Sequence, residues 1–175
     1  MSQITTVLGP IDSNNLGFTL MHEHIFLDLR IDVWLNDRLL ADKDLAYSEL
    51  MLFKQSGGST IVDQTNGGLR GENILNDKHP VAIREISQKT GINIILGSGW
   101  YRQPYYHSNL WRLKTDEICE QIVTEVTVGI EDTEIKSGII GEIGAHSNYI
   151  SPVEERVLRA AARAQKKTGL AISTH

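Results

Sequence analysis

Cysteine is nearly absent: Cys119 is the only one in 175 residues. An internal disulfide is therefore excluded, and so is a zinc site built on thiolates; a metal would have to be held by histidine and carboxylate. Positive charge is also short, with 17 Lys and Arg against 22 Asp and Glu, a net charge of −5. Nucleic acids and anionic membrane surfaces require a basic face, so neither is an expected partner. No apolar run approaches the ~20 residues of a membrane-spanning helix. The Met1-Ser2-Gln3-Ile4-Thr5 start lacks the basic and apolar regions of a signal peptide, and a cytoplasmic location is expected. Low-complexity stretches and composition shifts that would mark a linker are missing too. What remains is ordinary for one globular domain with a real core: 41% hydrophobic and 22% charged residues.

The apolar residues fall into short runs separated by helical patterns. Strands are expected at 18–24, 59–63, 92–96, 137–144 and 170–175. They are apolar throughout rather than alternating, as in a parallel sheet covered on both faces. Between them, Leu45, Leu50 and Phe53 recur near helical spacing over 42–55, and Gly57-Gly58 stops that helix. Pro80 suits the first turn of a helix over 81–89, and Ile118, Ile122, Val123 and Val126 mark another over 115–128. Ser151-Pro152-Val153-Glu154 is a helix start with Ser as N-cap and Glu at the third position, and Lys166 and Lys167 complement the dipole at the other end. Residues 4–17 read as a leading segment with turn chemistry, and 27–44, with Trp34, as a loop holding a short helical turn.

Polar residues at the carboxyl ends of these strands are the candidates for chemistry, because α/β folds place their sites there. His22 and His24 are two apart in a strand, so both imidazoles aim at one face while Glu23 points away. Glu142 stands in an otherwise apolar strand, where a carboxylate is costly unless it meets a cation or an Arg or Lys partner. His175 ends the fifth strand, as a further ligand or as a disordered terminal residue. Three imidazoles and a carboxylate form a metal-ligand set. Asp63 could orient a ligand imidazole or serve as a turn residue. His146 is expected on the surface or in a substrate loop, and His79 and His107 as ordinary loop residues. Trp100 and Tyr101, with Tyr105, Tyr106 and Trp111, could wall a substrate pocket or pack the loop on itself.

The blocks Thr19-Leu20-Met21-His22-Glu23-His24, Ile61-Val62-Asp63, Leu96-Gly97-Ser98-Gly99-Trp100-Tyr101, Ile140-Gly141-Glu142-Ile143-Gly144 and Ser173-Thr174-His175 occur in this order along the whole chain. In them the chain resembles the phosphotriesterase-like branch of the amidohydrolase superfamily. The resemblance implies a (β/α)8 TIM barrel, with only the first five βα units in this chain, and two divalent metal ions, usually zinc. It implies that His22 and His24 hold the more buried ion, that His175 holds the second, and that Glu142 bridges them as a catalytic ligand in place of the carboxylated lysine of many members. The reaction class implied is hydrolysis of an ester, lactone or phosphotriester by a metal-bridging hydroxide, with Trp100 and Tyr101 binding substrate on the leaving-group side. Family members carry a further histidine ligand on strand six and a proton-shuttling aspartate on strand eight, neither of which is in these residues. Asn66-Gly67-Gly68-Leu69-Arg70-Gly71 also lacks the Gly-Arg-Asp order of the family.

A TIM barrel needs ~250 residues, so the chain is expected to be the N-terminal part of a longer barrel or to need a partner chain, and to expose a sheet edge by itself. The expected partners are a small-molecule substrate and a second copy in a homodimer. Two other functions fit parts of the pattern. A catalytically inactive metal- or small-molecule-binding barrel would bind zinc without turnover. A flavodoxin-like doubly wound sheet would suit five βα units, but a Gly-rich phosphate loop is missing where His22 and His24 stand.

Overall fold

The computed structural model describes residues 2–31, 36–71 and 74–175. Its centre is a five-stranded parallel sheet made of β3 (Phe18–Glu23), β6 (Gly58–Asp63), β7 (Asn93–Ser98), β8 (Ile139–Ile143) and β9 (Ile172–Thr174), in that spatial order. Each strand therefore lies beside its successor. A doubly wound sheet reverses its order at a switch point, whereas sequential order is that of a (β/α)8 barrel, and the sheet is an arc of one. The flavodoxin-like alternative is thereby excluded.

The connecting helices are α1 (Lys43–Gln55), α2 (His79–Thr90), α3 (Thr115–Thr127) and α4 (Pro152–Thr168). Their ends follow from local chemistry. The Asp42 side chain accepts from the backbone of Asp44 and Leu45 at the start of α1. Ser151 and Glu154 form a reciprocal capping box on α4, which Gly169 ends in the left-handed conformation at φ 76°. Two apolar clusters fill the space between sheet and helices. One joins Ile61, Ile94 and Leu96 to Leu50, Ala82, Ile83 and Ile86. The other joins Ile140 and Ile143 to Ile118, Ile122, Val157 and the small residues Ala160, Ala161 and Ala164, which let α3 and α4 approach closely.

Two segments differ from expectation. Residues 3–12 form an antiparallel hairpin, β1 (Gln3–Thr6) with β2 (Gly9–Asp12), rather than a plain turn. It packs across the sheet's amino-terminal side: Val7 is buried and its N–H donates to the carbonyl of Ile94 at 2.9 Å. Gly138 is required there, because a Cβ would collide with the carbonyl oxygen of Thr5. Within 27–44, β4 (Leu27–Asp28) pairs with β5 (Leu39–Leu40), and Asn36–Arg38 form a 3-10 turn; Trp34 lies outside the described residues. The expected two-sided burial holds for β6, β7 and β8 but fails for β3 and β9. These two strands each pair on one side only among the described residues, and Phe18 and Met21 on β3 are 65% and 63% exposed. No helix among the described residues is long and apolar enough to cross a membrane.

Candidate metal centre

The carboxyl ends of β3, β8 and β9 bring the four expected ligands together. Glu142 is the hub, with a side chain only 4% exposed. Its Oε2 lies 2.7 Å from His22 Nε2 and 3.2 Å from His175 Nδ1, and its Oε1 lies 3.6 Å from His24 Nε2. No Arg or Lys pairs with it among the described residues, so the salt-bridge explanation for a buried glutamate does not apply. The His22 and His24 rings stand 5.4 Å apart at 69°, His22 within β3 and His24 just past its end. Ligand atoms of His22, His24 and Glu142 all lie within 4.8 Å of one another. Zinc bonds to N and O are about 2.0–2.2 Å, so these donors span roughly the diameter of one coordination sphere. His175 stands outside that trio and is in contact with the same Glu142 Oε2 as His22. The trio of His22, His24 and Glu142 therefore fits a divalent cation.

Neighbouring groups orient the imidazoles. His24 Nδ1 lies 2.9 Å from Thr65 Oγ1, and His175 Nε2 lies 2.9 Å from Tyr101 Oη. Gly144 keeps room for His175, whose Cβ would stand 3.0 Å from a Cβ added at 144. Burial lowers the pKa of His24 most; the Glu142 charge opposes this, and the imidazoles of His22 and His175 add to it. Asp63 takes the backbone-anchoring role rather than direct contact with an imidazole. Its Oδ1 accepts from Thr65 N at 2.9 Å and its Oδ2 from Ile25 N at 3.2 Å. Burial pushes its carboxyl up to about 6, against these hydrogen bonds.

The aromatic pair divides. Tyr101 is buried with Leu27, Leu69 and Tyr105 and touches His175 edge-on. Trp100 packs with Leu110, Ile118 and Ile122 and lines a cavity of about 850 Å³ shared with Gly67, Arg70 and Tyr105. None of the four candidate ligands lines that cavity. His146 is exposed and pairs with the Arg102 guanidinium, and His107 is exposed. His79 departs from the loop expectation: it is the first residue of α2, 4% exposed, with Nε2 3.2 Å from the carbonyl of Phe26. Sequence reasoning passed over Thr65 and read Glu154 only as part of the α4 helix start. The Glu154 carboxylate accepts from the backbones of Ser151, His146 and Gln103, tying the loops after β7 and β8 together at the rim. The capping-box pattern locates Glu154; its reach to Gln103 has no local signal.

Known proteins resemble this chain over its whole length. The family model described as "Phosphotriesterase family" matches residues 2–175. An N-acetyltaurine hydrolase of Dictyostelium discoideum is 29% identical over 225 aligned positions, covering 100% of this chain and 59% of that protein. The crystal structure of a resiniferatoxin-binding protein from Rhodobacter sphaeroides superposes with a TM-score of 0.88 and 34% identity over 99% of this chain and 55% of that one. A lactonase from Listeria monocytogenes gives a TM-score of 0.85 and 30% identity over 99% of this chain and 56% of that one. The chain thus spans between half and three-fifths of the length of these relatives.

Proposed function

The chain belongs to the phosphotriesterase family, and from that premise we propose that it supplies the greater part of a binuclear, metal-dependent hydrolase centre acting on small esters, lactones or phosphotriesters. The observation that carries this reading is the convergence of His22, His24 and His175 on one buried carboxylate, Glu142. Two divalent cations, zinc by the nature of the donors, would polarise the scissile carbonyl or phosphoryl oxygen and make water nucleophilic at neutral pH. His22 and His24 would hold one position and His175 the other. Glu142 would bridge the two, since its Oε2 already meets both His22 and His175 while its Oε1 faces His24. Tyr101 keeps the His175 ring edge-on and stands nearer the centre than Trp100, so of the two it is the better placed to touch substrate beside that ligand. The named activity of the Dictyostelium relative extends the substrate class to small N-acyl amides. Whatever pairs with the free edges of β3 and β9 would complete the barrel and contribute the remaining ligands and the proton acceptor.

The test is hydrolysis of a panel of lactones, aryl esters and N-acyl amino sulfonates by the zinc-loaded protein. Turnover that disappears with chelator and returns with zinc, and that is lost in Glu142→Gln, is expected from a preparation in which the barrel is complete. Turnover that survives both treatments contradicts the reading. The likeness to a resiniferatoxin-binding protein at a TM-score of 0.88 favours one other function, a binding barrel without catalysis. That protein would take up zinc through the same residues and show no turnover on any panel member.

A further inference from the structure

We propose that Gln64 and Asn66 are positioning residues of the centre: their side-chain amides clamp the strand that carries His22 to the strand that carries Glu142. The purpose of the clamp rests on the metal reading, though its geometry needs no ion. β3 and β8 are not neighbours in the sheet, since β6 and β7 lie between them. Regular pairing is also lost where the two ligands stand. The β3–β6 register shifts between Leu20 and Glu23, and the β8–β9 register shifts between Ile140 and Ile143. The ladder bonds that set register elsewhere therefore do not by themselves set the spacing of His22 and Glu142.

Two amides from the segment after β6 act at those places. Gln64 Nε2 donates to the carbonyl of Met21 at 3.2 Å, and Asn66 Nδ2 donates to the carbonyl of Glu142 at 2.9 Å. A carbonyl only accepts, so the end of each amide that meets it is the nitrogen. Both residues are buried, Gln64 at 1% and Asn66 at 0% exposure. Gln64 also reaches across to β8: its Oε1 would stand 2.7 Å from a Cβ added at Gly141, the residue before Glu142. The far ends of the two amides, Gln64 Oε1 and Asn66 Oδ1, are buried with no hydrogen-bond partner among the described residues. A buried acceptor without a partner adds nothing to stability, so what each amide contributes is the donor it turns to a ligand strand. The main chain of Gln64 adds to the grip, its N–H donating to the carbonyl of Glu23 at 2.9 Å. Held this way, Glu142 Oε2 meets His22 Nε2 at 2.7 Å, as outer partners arrange the ligands of a metal.

The experiment combines side-chain amide exchange with zinc affinity. In metal-free, 15N-labelled wild type, the side-chain NH2 groups of Gln64 and Asn66, assigned by through-bond NMR, should exchange with solvent at least roughly tenfold more slowly than that of exposed Asn148. Zn2+ affinity by chelator competition should weaken by roughly 10–100-fold in Gln64→Met and in Asn66→Leu, which keep the bulk and remove the donor. Thr90→Val is the control: it removes a buried hydrogen bond to the Ile86 carbonyl at the end of α2, and should lower the urea midpoint with zinc affinity unchanged. Side-chain exchange as fast as that of Asn148 overturns the proposal even if no variant folds. So does an amide variant whose zinc affinity matches that of Thr90→Val. A wild type that binds no zinc contradicts the metal reading instead, and the exchange result then decides whether the clamp exists.

Discussion

Burial sets the behaviour of two titratable side chains on the segment that links β6 to α2. His79, depressed to about 3 by burial and then by the Arg70 charge, starts from 6.5 in an unfolded chain. Its folded pKa is the lower one, so the unfolded chain takes up the proton first as pH falls. Stability owed to neutral His79 is intact above about pH 6.5 and lost below it, by up to ~1.4 kcal/mol per pH unit until about pH 3. Asp63, raised from 3.8 to about 6, has the opposite sign: the folded state binds its proton first, and stability is regained as pH falls through that window. The two slopes oppose each other, and a variant separates them. In urea unfolding, the stability of the wild type relative to His79→Gln should fall by up to ~2 kcal/mol between pH 6.5 and 5. A difference that stays constant over that range contradicts a buried, neutral His79.

At the scale of elements, long-range polar contacts hold the loops that carry the centre. Arg70 lies in the loop after β6, 5% exposed, with Glu125 of α3 at 3.0 Å, Glu131 at 3.4 Å and the carbonyl of Gly97 at 3.0 Å. Its removal in Arg70→Ala leaves Glu125 largely buried without a counter-charge, and a loss of about 3–5 kcal/mol is expected. A midpoint of urea unfolding close to that of the wild type would show that the pair contributes little. Glu154 links the loops after β7 and β8 through three backbone N–H groups. Glu154→Gln would turn a donor toward one of them and cost about 1–3 kcal/mol, with the largest rise in amide exchange at Gln103 and His146. Exchange confined to α4 would mean that the residue acts as a helix cap alone.

Elements whose cause is local were legible in the sequence: α1 from its apolar spacing after Asp42, α4 from Ser151 and Glu154, and the convergence of the candidate ligands His22, His24 and Glu142 from a same-face pair and one carboxylate among apolar residues. The hairpin at 3–12 was hidden because its two-residue loop is Val7-Leu8, without the Asn or Gly that marks such turns. The two-residue strands β4 and β5 are too short to show a period. Thr65 was passed over, and His79 was expected in a loop, because their contacts lie in partners 41 and 53 residues away, which no local pattern encodes.

For the whole molecule, among the described residues the arc leaves two strands with one neighbour each and exposes apolar residues that include Phe18, Met21, Leu45 and Leu52. Unpaired parallel edges beside apolar surface favour pairing with another chain. The 175-residue chain by itself should therefore sediment as a dimer or larger species at micromolar concentration. Phe18→Lys with Met21→Lys should shift it toward monomer; a wild type that is monomeric throughout contradicts this account of the edges.

The central claim is that His22, His24, Glu142 and His175 form a metal site. Zinc affinity compared between wild type, His22→Ala and the exposed-histidine control His146→Ala tests it most directly. The account predicts wild-type affinity for His146→Ala. For His22→Ala it predicts a loss of more than roughly a hundredfold, beyond the ~10–100-fold cost of losing an outer partner. Unchanged zinc binding in His22→Ala would contradict it.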